Sequence, residues 1–187
     1  NPDKAVAALR VTRLANLWLA DAEGGPARPL TSITSPEDSP MGIAATGAGS
    51  LVYSAPRDQF LRVWAVDLAG GEPRPLSSGE GHAIARGAAG DAIVFDRLDA
   101  GGVHIWSMSA DGSGVRQLTS GAGEQVSALS PDGRWVAFNP YDDFRAVSLV
   151  SVESGRVSPF ARTTGGVVAF SPDGTKLLLG QLESDEK

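Results

Sequence analysis

The 187-residue sequence predicts an all-β fold made of tandem four-stranded units. Three observations predict it: a tryptophan motif that recurs along the chain, a turn signal that recurs with nearly the same period, and the lack of any segment with convincing helical periodicity. A unit of about 40–45 residues with two hairpin signals is typical of one β-propeller blade. We therefore expect a β-propeller of four-stranded antiparallel blades that forms part of a larger ring.

The tryptophan motif marks the third and fourth strands of each unit. Trp18, Trp64 and Trp106 each stand twelve residues before a leucine. A Gly-containing turn lies between the tryptophan and the leucine, and the leucine is part of an Arg-x-Leu-Ser/Thr-Ser segment. A fourth copy, centred on Leu149, has lost its tryptophan. These four positions are separated by 46, 42 and 43 residues, which fits the blade period. We expect Trp64 and Trp106 to be buried between adjacent blades.

The second signal is a Ser-Pro-Asp-Gly turn that joins the first two strands of a unit. It occurs at 130–133 and again at 171–174, and weaker Gly-containing copies occur at 47–49 and 88–90. Pro presets φ, Asp bonds its own backbone, and Gly accepts a positive φ, so this sequence favours a tight turn. Short β-rich runs on both sides predict a hairpin.

Both signals together divide the chain into three complete blades flanked by two partial ones. Residues 5–14 have a composition that allows a helix, but their place in the repeat favours a second strand. The chain opens at one second strand and closes at another, and it does not begin with Met, so we expect it to be cut from a longer protein. The predicted units are a partial blade at 1–32, blades at 41–78, 82–120 and 126–162, and a partial blade at 166–187.

Composition excludes several classes of partner. The net charge is −6 and the isoelectric point is near 4.9, which disfavours binding to nucleic acid or to anionic membranes. No apolar run approaches the roughly 20 residues of a membrane span, so we expect no membrane span in this chain. Cysteine is absent, which removes disulfides and thiolate chemistry.

The sequence carries no signature of catalysis, and we predict no catalytic residue. A Gly-x-Ser-x-Gly nucleophile elbow is missing, and the two histidines, His82 and His104, stand at different positions of the repeat. The Asp-Gly turns at 111–114 and 132–133 lack the alternating acidic ligands of a calcium loop. No helix is expected after the Gly pairs, so they form no phosphate cradle. We therefore predict no metal site and no cofactor.

These motifs resemble the WD-like, PD-type propeller repeat of bacteria. The match rests on Ile-Trp-Ser-Met-Ser-Ala-Asp-Gly at 105–112, Arg-Gln-Leu-Thr at 116–119 and the two Ser-Pro-Asp-Gly turns, and it extends over residues 5–182. Such repeats are known from the periplasmic Tol-system propeller, from prolyl-oligopeptidase-like peptidases and from sensor regions of bacterial Ser/Thr kinases and winged-helix regulators. The resemblance is nearest to the kinase and regulator propellers, and no kinase motif is present here. It implies a periplasmic or extracytoplasmic location.

The loops that vary between units predict a binding face. In a four-stranded meander, the loops joining strands two and three and those joining consecutive blades lie on the same face, and here they vary while the opposite turns are uniform. These loops are at 34–40, 56–60, 96–102, 121–125 and 140–145. From them we select seven candidate binding residues, namely Arg57, Asp58, Glu124, Tyr141, Asp142, Asp143 and Arg145.

Two functions fit this sequence. The first is a non-catalytic module for protein or peptide binding, the sensor or scaffold part of a larger bacterial protein, whose partner is an external ligand or the remainder of its own propeller. The second is the gating propeller of a prolyl-oligopeptidase-like serine peptidase whose hydrolase domain lies outside this sequence. The neighbouring domains of the gene would separate them.

Overall fold

A computed structural model of the chain describes residues 15–32, 40–47 and 49–180. Within these ranges every regular element is a β-strand, which confirms the predicted all-β fold. No helix in this part of the chain is long and apolar enough to cross a membrane. The second strand expected at 5–14 lies outside the described residues, as does nearly all of the loop expected at 34–40.

The strands form three four-stranded antiparallel sheets and two strand pairs among the described residues. We name the sheets the first, second and third blades. The first pair is β1 (Trp18–Leu19) with β2 (Arg28–Pro29), and the last is β15 (Val167–Phe170) with β16 (Leu177–Leu179). The first blade is β3 (Met41–Ala45), β4 (Ser50–Arg57), β5 (Phe60–Asp67) and β6 (Arg74–Pro75); the second is β7 (His82–Ala89), β8 (Ala92–Asp99), β9 (Gly102–Ser109) and β10 (Arg116–Gln117); the third is β11 (Glu124–Leu129), β12 (Trp135–Pro140), β13 (Ala146–Ser151) and β14 (Val157–Arg162).

Each blade is a simple meander, and the first strands of consecutive blades lie side by side. In every blade the strands are hydrogen-bonded in the order in which they occur along the chain. The first strands β3, β7, β11 and β15 lie next to one another in that order. This side-by-side arrangement of first strands is the radial arrangement of a propeller. The predicted blade architecture is thus confirmed.

The Ser-Pro-Asp-Gly turns are closed by their own side chains. In the turn at 130–133 the Ser130 hydroxyl donates to Asp132 Oδ1 at 2.6 Å and accepts from the Trp135 N–H at 2.9 Å. Ser171 and Asp173 make the equivalent bond at 2.6 Å. The serine hydroxyl and the backbone N–H groups of the turn favour the carboxylate and lower the pKa of Asp132 and of Asp173 to about 2. The turn signal therefore has a local chemical cause and needs no ion.

A hydroxyl after the repeated leucine holds the third strand of each unit. Ser77 and Thr119 each accept a hydrogen bond from a third-strand N–H, at 2.9 and 3.0 Å, and Thr31 accepts one from Leu17, just before β1, at 2.9 Å. The leucine before each hydroxyl is buried. Burial removes these N–H groups from water, so the hydroxyl provides the partner that they need. This explains the recurrence of Leu followed by Ser or Thr.

The arginine of the same motif connects consecutive blades. The Arg74 guanidinium donates to the carbonyl oxygens of Ala110 and Asp111, both at 3.1 Å, across the boundary between the first and second blades. Arg28 reaches the Leu68 carbonyl in the same way. The Ser or Thr of the Arg-x-Leu-Ser/Thr motif thus bonds its own blade, and the Arg bonds the next one.

The core lies between blades, and the tryptophans line it. One buried cluster joins Val52 and Val63 of the first blade to Ile93 and Phe95 of the second, with Trp106 packed against it. Trp64 packs on the cluster between the first strand pair and the first blade. Both indoles lie between blades as expected, but they are only half-buried. A guanidinium lies over each ring, Arg57 over Trp64 and Arg97 over Trp106, at 5.5 and 5.0 Å from the ring centres.

Two of the expected loops are much shorter in the structure. Strands β4 and β5 are joined by Asp58 and Gln59 alone, with φ of 51° and 66°, as in a two-residue type I′ hairpin. Strands β8 and β9 are joined by two residues, so the expected loop at 96–102 is wrong, and Asp96 is a buried strand residue. In both hairpins the antiparallel pairing within the blade continues up to the two-residue turn, and Asp96 also accepts the Val126 N–H of the next blade.

Candidate functional site

The boundaries between blades contain the polar residues of interest. We call the boundary between the first and second blades the first junction, and that between the second and third blades the second junction. Positions 42 residues apart are equivalent at the two junctions, as shown by Trp64 and Trp106, which pair with Tyr53 and Phe95 in the same register. The two junctions can therefore be compared residue by residue.

At the second junction a buried acid closes a polar network. The Glu124 carboxylate contacts His104 Nδ1 at 2.9 Å and accepts the Thr119 hydroxyl at 2.9 Å, both through Oε2. His104 Nε2 lies 3.2 Å from the Gly101 carbonyl oxygen. All three side chains are buried, and Glu124 is only 5% exposed. A carboxylate of this chain thus satisfies the donors that meet at this junction.

At the first junction the equivalent positions carry different chemistry. Arg62 takes the place of His104, Ser77 that of Thr119, and His82 that of Glu124. The Arg62 guanidinium donates to the carbonyl oxygen of Gly81 at 2.7 Å and to that of Gly79. His82 Nδ1 accepts from the Leu61 N–H at 3.1 Å. Among the described residues no carboxylate lies within ion-pair distance of Arg62, although Arg62 is only 7% exposed.

A second guanidinium lies beside the first. Arg97, on β8, donates to the Glu80 carbonyl oxygen at 2.8 Å, and its Nε is 3.5 Å from Asp99 Oδ2. Burial, followed by the positive charge of Arg97, lowers the pKa of Arg62 below its usual value. The two arginines therefore hold the 79–81 connection between blades and concentrate positive charge there.

A cavity of about 240 Å³ lies at this junction. Arg62, Ser77, Glu80 and Arg97 supply its polar wall, and Leu76 and Phe95 are among its apolar lining residues. Ser77 already accepts the Val63 N–H at 2.9 Å, so its hydroxyl hydrogen points elsewhere. The cavity combines cationic donors, a hydroxyl and an apolar wall.

Four of the seven candidates, Tyr141, Asp142, Asp143 and Arg145, lie together in one loop of the third blade. The loop at 141–145 joins β12 to β13, and Asn139 Nδ2 ties it down by donating to the carbonyl oxygens of Phe144 and Ala146 at 2.9 and 2.8 Å. Asp143 Oδ2 accepts from Arg162 at 2.8 Å, and that hydrogen bond lowers the pKa of the Asp143 carboxyl. Tyr141 and Phe144 contact each other edge to face at 6.0 Å and are 41% and 57% exposed.

The other three candidates occupy different environments. Arg57 and Asp58 stand at the exposed tip of the β4–β5 hairpin, 3.7 Å apart, and Arg57 covers Trp64. Glu124 lies buried at the start of β11, so its carboxylate is committed to His104 and Thr119 rather than presented to solvent. The Arg57 hairpin and the 141–145 loop belong to the first and third blades, and the second blade lies between these two blades.

Sequence reasoning missed Arg62, Arg97 and Phe144. Arg62 could have been found, because it stands two residues before a motif tryptophan, where the next repeat has His104. Arg97 gives no such signal, since its repeat partner is Asn139. Within the described ranges no three His, Asp or Glu side chains come together as a metal site.

No family model matches the chain. An uncharacterised protein of Agrobacterium fabrum, Atu1656, is 30% identical over an alignment of 143 residues that covers 67% of this chain and 48% of that protein. Among solved structures, TolB from Acinetobacter baumannii matches with a TM-score of 0.69 at 20% identity, over 91% of this chain and 44% of its own. A protein provisionally named TolB from Agrobacterium tumefaciens gives 0.64 at 26%, over 85% and 62%. The chain therefore spans about half the length of the proteins it matches.

Two enzymes share the fold as well. An oligogalacturonate lyase in complex with manganese matches with a TM-score of 0.70 at 16% identity, over 92% of this chain and 55% of its own. Dipeptidyl peptidase 4 of Porphyromonas gingivalis matches with 0.62 at 11%, over 80% and 23%. At such identities the likeness shows the fold alone. By its fold the chain is a β-propeller that is similar to these TolB structures.

Proposed function

We propose that this chain is a non-catalytic propeller module that binds a protein or peptide, as the sensor or scaffold part of a larger bacterial protein. The binding face is the one formed by the loops between strands two and three and between blades. The candidate contact residues remain Arg57, Asp58, Tyr141, Asp142, Asp143 and Arg145. Glu124 supports that face from within, by holding His104. The fold likeness to the TolB structures supports an extracytoplasmic location for it.

The ordered aromatic pair of the third blade carries this proposal. Tyr141 and Phe144 are exposed, yet the backbone of their loop is fixed by Asn139 and by the Asp143–Arg162 ion pair. Exposed aromatic side chains on a fixed backbone provide large contact area at low entropic cost, which is the property of protein-binding hot spots. The charged Asp142 and Arg145 lie beside them and can confer specificity.

Panning a random peptide library on the immobilised chain tests the proposal. We expect enriched peptides that lose at least about tenfold in affinity on Tyr141→Ala or Phe144→Ala, as for interface hot spots. Arg145→Ala and Arg156→Ala form a matched pair, because both arginines are exposed but stand at opposite ends of β13. Binding that survives every varied-loop substitution and is lost with Arg156→Ala would refute the proposed face, and failure to enrich any peptide would refute the function.

A second candidate is the gating propeller of a prolyl-oligopeptidase-like peptidase. The fold likeness to the Porphyromonas gingivalis dipeptidyl peptidase favours it. An α/β-hydrolase domain following this segment in the full reading frame would support the peptidase, and a kinase or winged-helix domain preceding it would support the sensor. The parent protein thus decides between them.

A further inference from the structure

The two junctions differ in whether the chain supplies its own acid. At the second junction the Glu124 carboxylate lies against His104 and the Thr119 hydroxyl. At the first junction Arg62 stands in the place of His104 and Ser77 keeps the hydroxyl, but the position of Glu124 is occupied by His82. The second junction therefore shows, within the same molecule, how a carboxylate fits this arrangement.

Arg62 retains hydrogen-bonding capacity for such a carboxylate. A guanidinium has five N–H donors, and the structure uses two of the Arg62 nitrogens on the carbonyl oxygens of Gly79 and Gly81. A buried cation whose hydrogen bonds go to neutral carbonyl oxygens gains from a desolvated anion, because charge-assisted hydrogen bonds are about twice as strong as neutral ones. Ser77 adds a hydroxyl hydrogen, as Thr119 does for Glu124.

We propose that the cavity at the first junction binds a carboxylate from a protein or peptide ligand, held by Arg62, Ser77 and Arg97. This inference rests on the proposed function and specifies the ligand group that it recognises. The carboxylate meets the Arg62 guanidinium and the Ser77 hydroxyl, as Glu124 meets His104 and Thr119 at the second junction, and the apolar wall of Leu76 and Phe95 contacts the rest of the side chain.

Size and charge favour a single carboxylate over a larger polyanion. A cavity of about 240 Å³ admits one small group. The chain carries a net charge of −6, and the exposed Glu80 stands at the cavity, so a phosphate dianion or a nucleic acid meets more repulsion than one carboxylate does. An acidic side chain and a free C-terminus supply the same group, and the experiment separates these two sources.

Calorimetric titration of the intact chain with defined peptides tests this proposal. The probes share one otherwise neutral sequence. They have a central Glu with an amidated C-terminus, a central Gln with an amidated C-terminus, a central Gln with a free C-terminus, and a central phosphoserine with an amidated C-terminus. We expect the Glu peptide or the free-acid peptide to bind at least about tenfold more tightly than the amidated Gln peptide. Which of them binds identifies the source of the carboxylate. Tightest binding of the phosphoserine peptide would overturn the choice of a carboxylate.

Four variants locate the site. Arg97→Gln and Arg62→Gln should each weaken binding of the carboxylate peptide about tenfold, and a thermal melt checks that Arg62→Gln still folds. Arg74→Gln is the matched control, because Arg74 also joins the first two blades through two carbonyl oxygens but does not line the cavity. His82→Glu places an internal carboxylate at the position equivalent to Glu124 and should abolish binding by occupying the site.

The outcomes separate this inference from the proposed function. One result would overturn the carboxylate site and leave the proposed function standing. In that result, library peptides bind the varied-loop face, show no preference for an acidic group, and lose no affinity with Arg97→Gln or His82→Glu. Equal loss with Arg74→Gln and Arg97→Gln would also overturn it, since the effect would then be structural. If no library peptide binds, the proposed function itself fails.

Discussion

The first and second junctions have hydrogen bonds at equivalent positions, but different side chains make these bonds. Ser54 and Asp96 are equivalent strand residues, and each accepts a backbone N–H of the following blade, from Ala85 at 2.7 Å and from Val126 at 3.2 Å. At the first junction the acceptor is a neutral hydroxyl. At the second it is a carboxylate that also pairs with Arg86 at 2.5 Å.

The two junctions also differ in their acidic side chains closer to the proposed binding face. The second junction contains Glu124 between His104 and Thr119, whereas the first contains Arg62 with carbonyl oxygens and a cavity. At these equivalent positions the second junction has the acids Asp96 and Glu124, whereas the first junction has Ser54 and His82. A repeat fold conserves the backbone bonds between blades, while the side chains that satisfy them vary, and that variation is where binding can arise.

Removing the acid of the second junction should have the largest effect. Glu124→Ala leaves the buried Thr119 hydroxyl and His104 without their acceptor, so we expect a loss of about 2–4 kcal/mol in the free energy of unfolding. His82→Ala, at the equivalent position of the first junction, removes one half-exposed acceptor and should cost about 1 kcal/mol. Urea denaturation measures both, and equal losses would break the comparison.

Removing the neutral acceptor of the first junction should lower the free energy of unfolding by a smaller but measurable amount. Ser54→Ala leaves the buried Ala85 N–H unsatisfied, which should cost about 1–3 kcal/mol. Ser127→Ala is a control, because Ser127 is a partly buried serine whose hydroxyl bonds Asn139 within one blade. The loss for Ser54→Ala should be independent of pH, since no charge is removed. A loss no larger than that of the control would show that this bond between blades does not matter.

The charged acceptor of the second junction should respond to pH. Burial raises the pKa of Asp96 above its usual value, and Arg86 and the Val126 N–H offset this only in part. A raised pKa in the folded state means that the contribution of Asp96 is fully present below its unfolded pKa of 3.8 and falls as pH rises through the folded pKa.

Asp96→Asn isolates this dependence, because the amide keeps an acceptor for Val126 but does not ionise. The stability of the variant relative to the original chain should therefore increase as pH rises from below 4, and denaturation curves at several pH values measure it. A relative stability that falls with rising pH would mean that Arg86 stabilises the ionised form by more than burial costs it.

The smallest expected effect concerns the hairpin beside the first junction. Gln59 holds a φ of 66°, which costs energy for a residue with a side chain, while Asp-Gly is favoured in a type I′ turn. Gln59→Gly should raise the free energy of unfolding by about 0.5–1 kcal/mol, because relief of about 1–2 kcal/mol of left-handed strain exceeds the entropic cost of glycine. The same substitution at Gln125, in a strand, should lower it. Peptide binding at the cavity should not change, because Gln59 does not line it.

Local signals account for what could be predicted of the fold and the site. The tryptophan period and the Ser-Pro-Asp-Gly turns indicated four-stranded blades, because each signal acts within one hairpin, as Ser130 and Asp132 do. The loop at 140–145 was likewise predicted from Tyr141 and its charged residues, which are adjacent in the sequence, whereas Phe144 was missed. The loop at 96–102 was wrong for the opposite reason, since Asp96 is polar but its partner, Val126, belongs to the next blade.

The sequence by itself therefore determined the repeat, the turns and the place of the tryptophans, since these depend on residues close together in the chain. Only the tertiary structure decided which polar residues are buried and which remain available. Glu124 is satisfied by His104, twenty residues away, and Arg62 meets Gly81 and Arg97 across a blade boundary. Such partners are fixed by packing between blades, because burial makes a polar group costly until a neighbouring blade satisfies it.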